Sequence, residues 1–263
     1  MGLFYKEYGD SSAPLIVFLH GGGVSSWMWE NQVKYFEQNY HCVTVDLPKH
    51  GKNESSGEFS IRETAILCVE LIEKIANDRK IVVIGFSLGS QVLMQMMSIR
   101  PQLIDYGIIN SVAVRPSKWM KSSIAPMVKM SMPLTKYKWF AKLQAKELYI
   151  TDEQFPLYFD ETKQISSNSL INILKENMSF SVPEGFSKAN GKILLTVGEK
   201  EKGIMKKSVK DILTMNKNCV AVKIPDIGHG LPMSKPKLMN EIIENWINNL
   251  PLPDDCVPMD AEG

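Results

Sequence analysis

A serine in a glycine-flanked turn is the first candidate for chemistry in this chain of 263 residues. Residues 85–89 read Gly-Phe-Ser-Leu-Gly, with Ser87 at the centre, directly after the apolar run Ile81–Ile84. This pattern is typical of a strand that ends in a sharp turn and continues as a helix, with the serine hydroxyl exposed at the turn. The two glycines leave room for such a turn because they carry no Cβ atom. The segment therefore predicts a nucleophilic serine.

A histidine is the expected partner, because a serine hydroxyl is a poor nucleophile at neutral pH until a base removes its proton. The chain has four histidines, of which His20 and His50 precede glycines in early loops and His41 opens a strand. His229 lies in a glycine-flanked loop directly after the last apolar strand. Loops at the C-terminal ends of parallel strands gather at one edge of a sheet, so His229 is predicted to meet Ser87. The alternative is a structural or solvent-exposed histidine.

A carboxylate is needed behind the histidine, where it orients the ring and stabilises its charged form. Glu199 and Glu201 follow the predicted strand 192–198, and Asp226 precedes His229 by three residues. Either glutamate has the alternative of lying in solvent, as charges in a Glu-Lys-Glu-Lys run commonly do. Asp226 shares the loop of His229, so its approach to the far imidazole nitrogen is difficult. Spacing alone does not decide which of the two glutamates is the partner of His229.

Two backbone amides are candidates for an oxyanion hole, the donor pair that stabilises a tetrahedral intermediate. The first is the N–H of Leu88, at the start of the helix that follows Ser87. The second is the N–H of Gly22, in the His-Gly-Gly-Gly sequence 20–23 that follows a buried strand. The alternative for this loop is a simple tight turn. A phosphate site is disfavoured, because neither G-x-G-x-x-G nor a Walker-type Lys-Ser/Thr is present.

Strands that alternate with helices surround these residues, which favours an α/β fold with a mostly parallel, doubly wound sheet. The predicted strands are 3–8, 15–19, 41–46, 81–84, 103–110, 192–198 and 219–224. The predicted helices are 26–38, a helix from 61 after the Ser-x-x-Glu capping box at Ser60, 87–97, 204–215 and 237–250. Residues 1–111 and 189–250 are assigned to this core.

The stretch 112–188 breaks the alternation and predicts a helical lid, while residues 251–263 are expected to form a poorly ordered tail. The lid is rich in methionine and aromatic residues, which suit an adaptable apolar pocket or simply pack the lid onto the core. These residues are Trp119, Met127, Met130, Met132, Trp139, Phe140, Phe155, Tyr158 and Phe159.

Composition narrows the class of protein without naming a function. The chain is 44% hydrophobic and 22% charged, with a formal net charge of +1, and no basic run interleaves with aromatic residues. A nucleic-acid partner is therefore not expected. Residues 1–9 are too short and polar for a signal peptide, and no apolar run reaches membrane-spanning length. Four scattered cysteines without C-x-x-C spacing fit buried or incidental thiols and a cytoplasmic location.

These motifs together resemble the α/β-hydrolase fold family, of the lidded type that includes esterases, lipases, lactonases and C–C bond hydrolases. The resemblance covers residues 3–250 and rests on four segments in order: 20–23, 46–51, 85–89 and 228–229. Members of the family commonly have Gly-x-x-Asp after the strand that follows the lid. Here that position reads Gly-Glu-Lys-Glu, which points to Glu201 as the acid in place of the commoner aspartate. Lys49 replaces a frequent glycine of the second segment.

The resemblance implies a serine hydrolase, and a carboxylesterase acting on a small to medium ester with an apolar part is the leading expectation. Serine at position 87 argues against the haloalkane dehalogenases and epoxide hydrolases, which use aspartate there. No metal or organic cofactor is implied, and the partner is a small-molecule substrate. A C–C bond hydrolase or cofactor-free lyase on the same residues is one alternative. A non-catalytic small-molecule receptor is another, because the fold hosts many functions.

Overall fold

The computed structural model describes residues 2–53 and 57–261 of the chain. Eight strands of this part form a single sheet. They are β1 (Phe4–Tyr8), β2 (Leu15–Leu19), β3 (His41–Asp46), β4 (Ile81–Phe86), β5 (Tyr106–Asn110), β6 (Lys192–Gly198), β7 (Cys219–Ile224) and β8 (Val257–Met259).

The sheet is mostly parallel, as the sequence predicted. Its strand order is β1-β3-β2-β4-β5-β6-β7-β8, and the six strands from β3 to β7 in this order run parallel. Only the edge pairs β1–β3 and β7–β8 are antiparallel. Strand β4 lies between β2 and β5 and runs parallel to both, so the loops that follow these three strands lie at the same end of the sheet.

The central strands are apolar on both faces because helices cover the sheet on both sides. Alternate residues of β2 enter different cores: Leu15 and Val17 lie in one, and Ile16 and Phe18 in the other. Every residue of β2 is buried, which explains its continuous apolar sequence.

Ten helices accompany the strands in the described residues. They are α1 (Glu30–Phe36), α2 (Ile61–Ile75), α3 (Leu88–Ile99), α4 (Lys118–Ser131), α5 (Lys138–Glu147), α6 (Phe155–Gln164), α7 (Ser167–Ser179), α8 (Gly203–Met215), α9 (Leu231–Ser234) and α10 (Pro236–Ile247). The Ser60 hydroxyl accepts a hydrogen bond from Glu63 N at 3.3 Å and so caps α2, as the capping box predicted.

Several predicted elements differ at their boundaries, and two of them differ in how they begin. The helix predicted over 26–38 begins as a 3-10 turn, Ser26–Trp29, before α1. The strand predicted over 103–110 begins only at Tyr106, because Leu103 N is bonded to Arg100 O in a turn that closes α3. Both differences arise from local turns that the apolar periodicity does not encode.

Residues 112–188, here called the helical segment, contain α4 to α7 and two 3-10 turns, and no strand. Within the segment α4 packs against α7, and α5 against α6. Its last 3-10 turn, Glu184–Lys188, packs on α3 of the core.

The tail is a correction to the sequence analysis. Residues 251–263 were expected to be poorly ordered, but Val257–Met259 pair with β7 and extend the sheet at its edge. The pairing gives these residues the backbone hydrogen bonds that a short apolar and proline-containing segment cannot make alone.

The four cysteines are free thiols, and all but the half-buried Cys219 are buried. Burial raises the pKa of Cys42, Cys68 and Cys219 to about 12, so these thiols stay protonated and unreactive at neutral pH. In the described part of the chain, no helix combines the length and the apolar character that a membrane crossing requires.

Candidate active site

Ser87 occupies a strained turn between β4 and α3. Its backbone has φ 52° and ψ −108°, a conformation that residues with a Cβ atom rarely adopt. The amide of Ser87 donates to Asn110 O at 2.9 Å, which ties the turn to the end of β5. The side chain of Ser87 is partly exposed. The turn therefore places Ser87 directly after the carboxyl end of β4, in a conformation that the surrounding structure must maintain.

Gly85 and Gly89 permit this turn because other backbone groups occupy the space of their missing side chains. A Cβ atom on Gly85 would lie 2.6 Å from Gly89 O. A Cβ atom on Gly89 would collide with Leu19 O, at the end of β2. Ser90 adds a buried hydroxyl that donates to Gly85 O at 2.7 Å. The turn is thus locked between β2, β4 and α3.

Gly89→Ala is expected to destabilise the protein by about 2–4 kcal/mol, because the new methyl group meets backbone that cannot move without disturbing β2. Urea unfolding followed by circular dichroism measures the change. The matched control is Gly203→Ala: no atom lies within 4 Å of a Cβ at this exposed position. A surface change of this kind stays within about 0.5 kcal/mol of the native protein. Equal stability of the two variants would contradict the packing argument.

His229 and Glu201 form a hydrogen-bonded pair at the ends of β7 and β6. Imidazole Nδ1 lies 2.8 Å from Glu201 Oε2. The other oxygen, Oε1, accepts from Ser111 Oγ at 2.7 Å and from Gly198 N at 2.8 Å. Because an ionised carboxylate only accepts, Nδ1 carries the proton in the neutral ring and Nε2 is left as a base. Glu201 is buried to 1% side-chain exposure, while 34% of the His229 side chain is exposed.

The other two carboxylates considered from the sequence have different partners. Glu199 accepts from Asp226 N at 3.3 Å and lies 3.4 Å from Lys223 Nζ. Asp226 is 79% exposed and pairs with Lys200 at 3.1 Å. The structure therefore brings Glu201, and neither of these two, to the imidazole of His229.

The His229 ring packs against the residue that precedes Ser87. The ring centroids of His229 and Phe86 are 4.9 Å apart. Phe86 is buried, so it forms a fixed surface for the exposed imidazole. This contact holds His229 beside the turn that carries Ser87.

The loop after β2 also lies on this turn. A Cβ atom on Gly21 would lie 3.5 Å from Ser87 Cβ, and one on Gly22 would lie 3.7 Å from Leu88 Cδ2. Leu88 is the first residue of α3, where backbone amides have no partner within the helix. The amides of Gly22 and Leu88 therefore belong to two segments in contact, as an oxyanion hole requires.

His20 has a structural role that the sequence analysis missed. Its Nδ1 lies 2.7 Å from Gly21 O, and its Nε2 accepts from Leu47 N at 2.9 Å, so the proton is on Nδ1. Burial, together with the neighbouring His50 ring 5.1 Å away, lowers the pKa of His20 to about 3. A neutral imidazole therefore ties the loop after β2 to the loop after β3.

Tyr149 and Ser111 are further contacts that were not predicted. The Tyr149 hydroxyl accepts from Gly228 N at 3.0 Å, and a Cβ atom on Gly230 would lie 2.9 Å from the Tyr149 ring. The helical segment thus touches the loop of His229 on both sides of the histidine. Ser111 could have been found from its position directly after β5, whereas nothing in the sequence marks Tyr149.

A cavity of about 430 Å³ lies between the core loops and the helical segment, next to the loop of Gly22. Most of the residues that line it have polar side chains, but the larger part of the surface that they expose to the cavity is apolar. It is formed by Gly23, Val24, Lys49, His50, Gly51, Asn53, Thr135, Gln144, Tyr158, Glu161, Thr162, Gln164, Ile165, Ser166, Ser169 and Leu170.

The sequence left two roles open for the methionine and aromatic residues: lining an apolar pocket, or packing the lid onto the core. Of that set, only Tyr158 lines this cavity. Met130 and Trp139 are 77% and 58% exposed, and Phe155 stacks on Phe159 with ring centroids 5.8 Å apart. The side chain of Trp119 lies outside the described part of the structure. Composition alone does not tell which face of a short helix turns toward a cavity.

Comparison with known proteins identifies relatives along most of the chain. The sequence profile of the alpha/beta hydrolase family matches residues 16–242. The (E)-2-((N-methylformamido)methylene)succinate hydrolase of Acinetobacter baylyi is 19% identical, with 94% of each chain covered.

Solved structures share the fold at low sequence identity. An esterase from Exiguobacterium antarcticum superimposes with a TM-score of 0.79 at 14% identity, covering 94% of this chain and 95% of the other. The enol-lactonase from Burkholderia xenovorans gives a TM-score of 0.78 at 13% identity, covering 94% and 96%.

Proposed function

The chain belongs to the alpha/beta hydrolase family and is an enzyme of the hydrolase class, and we propose that it is a carboxylesterase that acts through an acyl-enzyme on Ser87. The observation that carries the proposal is the contact of 2.8 Å between His229 Nδ1 and the buried Glu201, with the same ring packed against Phe86. This arrangement supports Nε2 as the base for Ser87, because the ring packs on the residue that directly precedes the strained turn.

The proposed reaction gives each of these groups one role. Ser87 Oγ attacks the ester carbonyl while His229 Nε2 takes its proton, and Glu201 stabilises the imidazolium that forms. The amides of Gly22 and Leu88 donate to the oxyanion. The imidazolium protonates the departing alcohol, and water activated by the same ring then releases the acid.

The substrate we propose is a small to medium ester that enters between the core and the helical segment, with that segment as the lid. The cavity of about 430 Å³ starts at Gly23, directly after the proposed oxyanion donor. Val24, Ile165 and Leu170 are its aliphatic side chains, and an apolar part of the ester would contact them.

The test is hydrolysis of p-nitrophenyl esters of increasing acyl length, followed by mass spectrometry of protein treated with a fluorophosphonate. We expect turnover with an optimum at a short to medium acyl chain, and one phosphonyl adduct on the peptide that contains Ser87. An inert protein that forms no adduct would contradict the proposal and favour a receptor.

Tyr149→Phe is expected to lower kcat about three- to tenfold with little change in KM, because the loop of His229 loses one hydrogen bond, worth about 0.5–1.5 kcal/mol. Steady-state kinetics with the best p-nitrophenyl ester gives both constants. Tyr137→Phe is the matched control, since Tyr137 lies in the same helical segment and is 53% exposed. A change confined to KM, or an equal loss of kcat in both variants, would show that Tyr149 does not position the histidine.

A further inference from the structure

Glu161 connects the helical segment to the core through a carboxylate at the cavity. Its Oε1 accepts from Ser25 Oγ at 2.8 Å, and its Oε2 accepts from Trp27 Nε1 at 2.9 Å. Both donors lie in the turn that follows the Gly22 loop. A carboxylate has about four acceptor positions, so these two bonds leave capacity for a further partner. Glu161 also lines the cavity.

The pKa of the Glu161 carboxyl is raised above its ordinary value, mainly by burial. The hydrogen bonds from Trp27 and Ser25 oppose this effect, and the nearby Asp46 carboxylate adds to it. Asp46 is buried on the other side of the same turn, where it accepts from Ser26 N at 2.9 Å. Two carboxylates therefore flank residues 25–27, and a positive charge placed in the cavity beside Glu161 would be stabilised by both.

Two further residues of this cavity wall are compatible with an organic cation. The buried ring of Tyr158 lines the cavity next to Glu161, and aromatic rings attract ammonium groups through their faces. His50 also lines it, and burial lowers the pKa of this histidine, so the imidazole is neutral at neutral pH and does not repel a cation. Lys49 also lines the cavity and would favour an anionic ligand. The experiment below therefore includes an anion of similar shape.

We propose that the cavity binds a cationic, organic-ammonium arm of the substrate, and that Glu161 is the residue that selects this arm. The inference rests on the proposed esterase function and specifies its substrate class: an ester with one apolar part and one ammonium-bearing part. Glu161 is proposed as a binding residue, and the bond-breaking step stays with Ser87 and His229.

The experiment compares three ligands of nearly equal shape that differ in charge. Choline is the cation, 3,3-dimethylbutan-1-ol is its neutral counterpart, and 3,3-dimethylbutanoate is an anion of similar size. Each is measured as a competitive inhibitor of p-nitrophenyl acetate hydrolysis and, separately, by calorimetry on the Ser87→Ala protein. We expect choline to bind about tenfold more tightly than the neutral alcohol, as one partly screened charge pair predicts.

Glu161→Gln removes the charge and keeps the contacts, because its amide oxygen can accept from Trp27 while its NH₂ group donates to Ser25 Oγ. In this variant we expect the ratio of choline to alcohol affinity to fall to about one. Glu153→Gln is the control: this exposed glutamate lies in the same helical segment and should leave the ratio unchanged. The alcohol serves as an internal reference for any general disturbance of the cavity.

Three results would overturn the proposal: equal binding of choline and the alcohol, tighter binding of the anion, or a choline preference that survives in Glu161→Gln. These results are distinct from a failure of the esterase function. If no ester is hydrolysed but calorimetry shows a choline preference that depends on Glu161, the cation site stands and the catalytic assignment fails. If Ser87-dependent hydrolysis occurs without that preference, the catalytic assignment stands and the cation site fails.

Discussion

Ser87→Ala is expected to lower kcat for ester hydrolysis by about 10⁴- to 10⁶-fold, because the acyl-enzyme can no longer form and only binding and the oxyanion donors remain. The turn itself should survive, since alanine occupies less space than serine and the bond from the residue-87 amide to Asn110 O is a backbone contact. Kinetics with the best p-nitrophenyl ester, next to a thermal melt, separates loss of chemistry from loss of fold.

Ser90→Ala is the matched control for this experiment. Ser90 lies in the same turn, but its hydroxyl is buried and bonded to Gly85 O. We expect this variant to lose about 1–3 kcal/mol of stability, because a buried acceptor loses its donor. It should still form the phosphonate adduct on Ser87. Retained turnover in Ser87→Ala, or an adduct on Ser90, would remove Ser87 from the mechanism.

Glu201→Gln is expected to lower kcat by about 10³- to 10⁴-fold through the protonation state of His229. Ser111 Oγ and Gly198 N both donate to the Oε1 position, so the amide oxygen of the new glutamine must lie there. Its NH₂ group then faces His229 Nδ1, which has to accept a hydrogen bond. The imidazole proton moves to Nε2, and the ring can no longer take a proton from Ser87.

Glu199→Gln tests whether this effect is specific. Glu199 is 44% exposed and pairs with Lys223, so the substitution should leave kcat within about twofold of the native enzyme. Comparable losses in the two variants would show that net charge near the loop, and not the orientation of His229, controls turnover. A large loss of kcat in Glu199→Gln alone would show that the acid is Glu199 and not Glu201.

The parallel sheet could be predicted because its determinants are local. Leu15–Leu19 and Ile81–Ile84 are continuous apolar runs, and a strand covered on both faces requires that pattern. The strained turn could be predicted for the same reason, since Gly85 and Gly89 must lack a side chain where the backbones of β2 and α3 approach. The choice between Glu199 and Glu201 depended on a family resemblance, because the two side chains differ only in the direction in which the turn after β6 points them.

Contacts between distant segments could not be predicted from the sequence. Glu161 lies 136 positions from Ser25 along the chain, and Tyr149 lies 79 positions from Gly228. The local sequence around Glu161 or Tyr149 does not indicate which distant residue its side chain will contact. The strand in the tail could not be predicted for a related reason. Val257–Met259 has little intrinsic preference for a strand and forms one by pairing with β7.

The pair formed by His229 and Glu201 has a consequence for biosynthesis. Ser87 leaves the ribosome long before residues 201 and 229, and the Oε1 contacts of Glu201 join the ends of β5 and β6, which are 90 positions apart at Ser111. A nascent chain that has completed β4 and α3 therefore exposes the serine without the proposed base. On the proposed mechanism, Ser87 gains its base only after residues 201 and 229 have been synthesised and β7 has paired with β6.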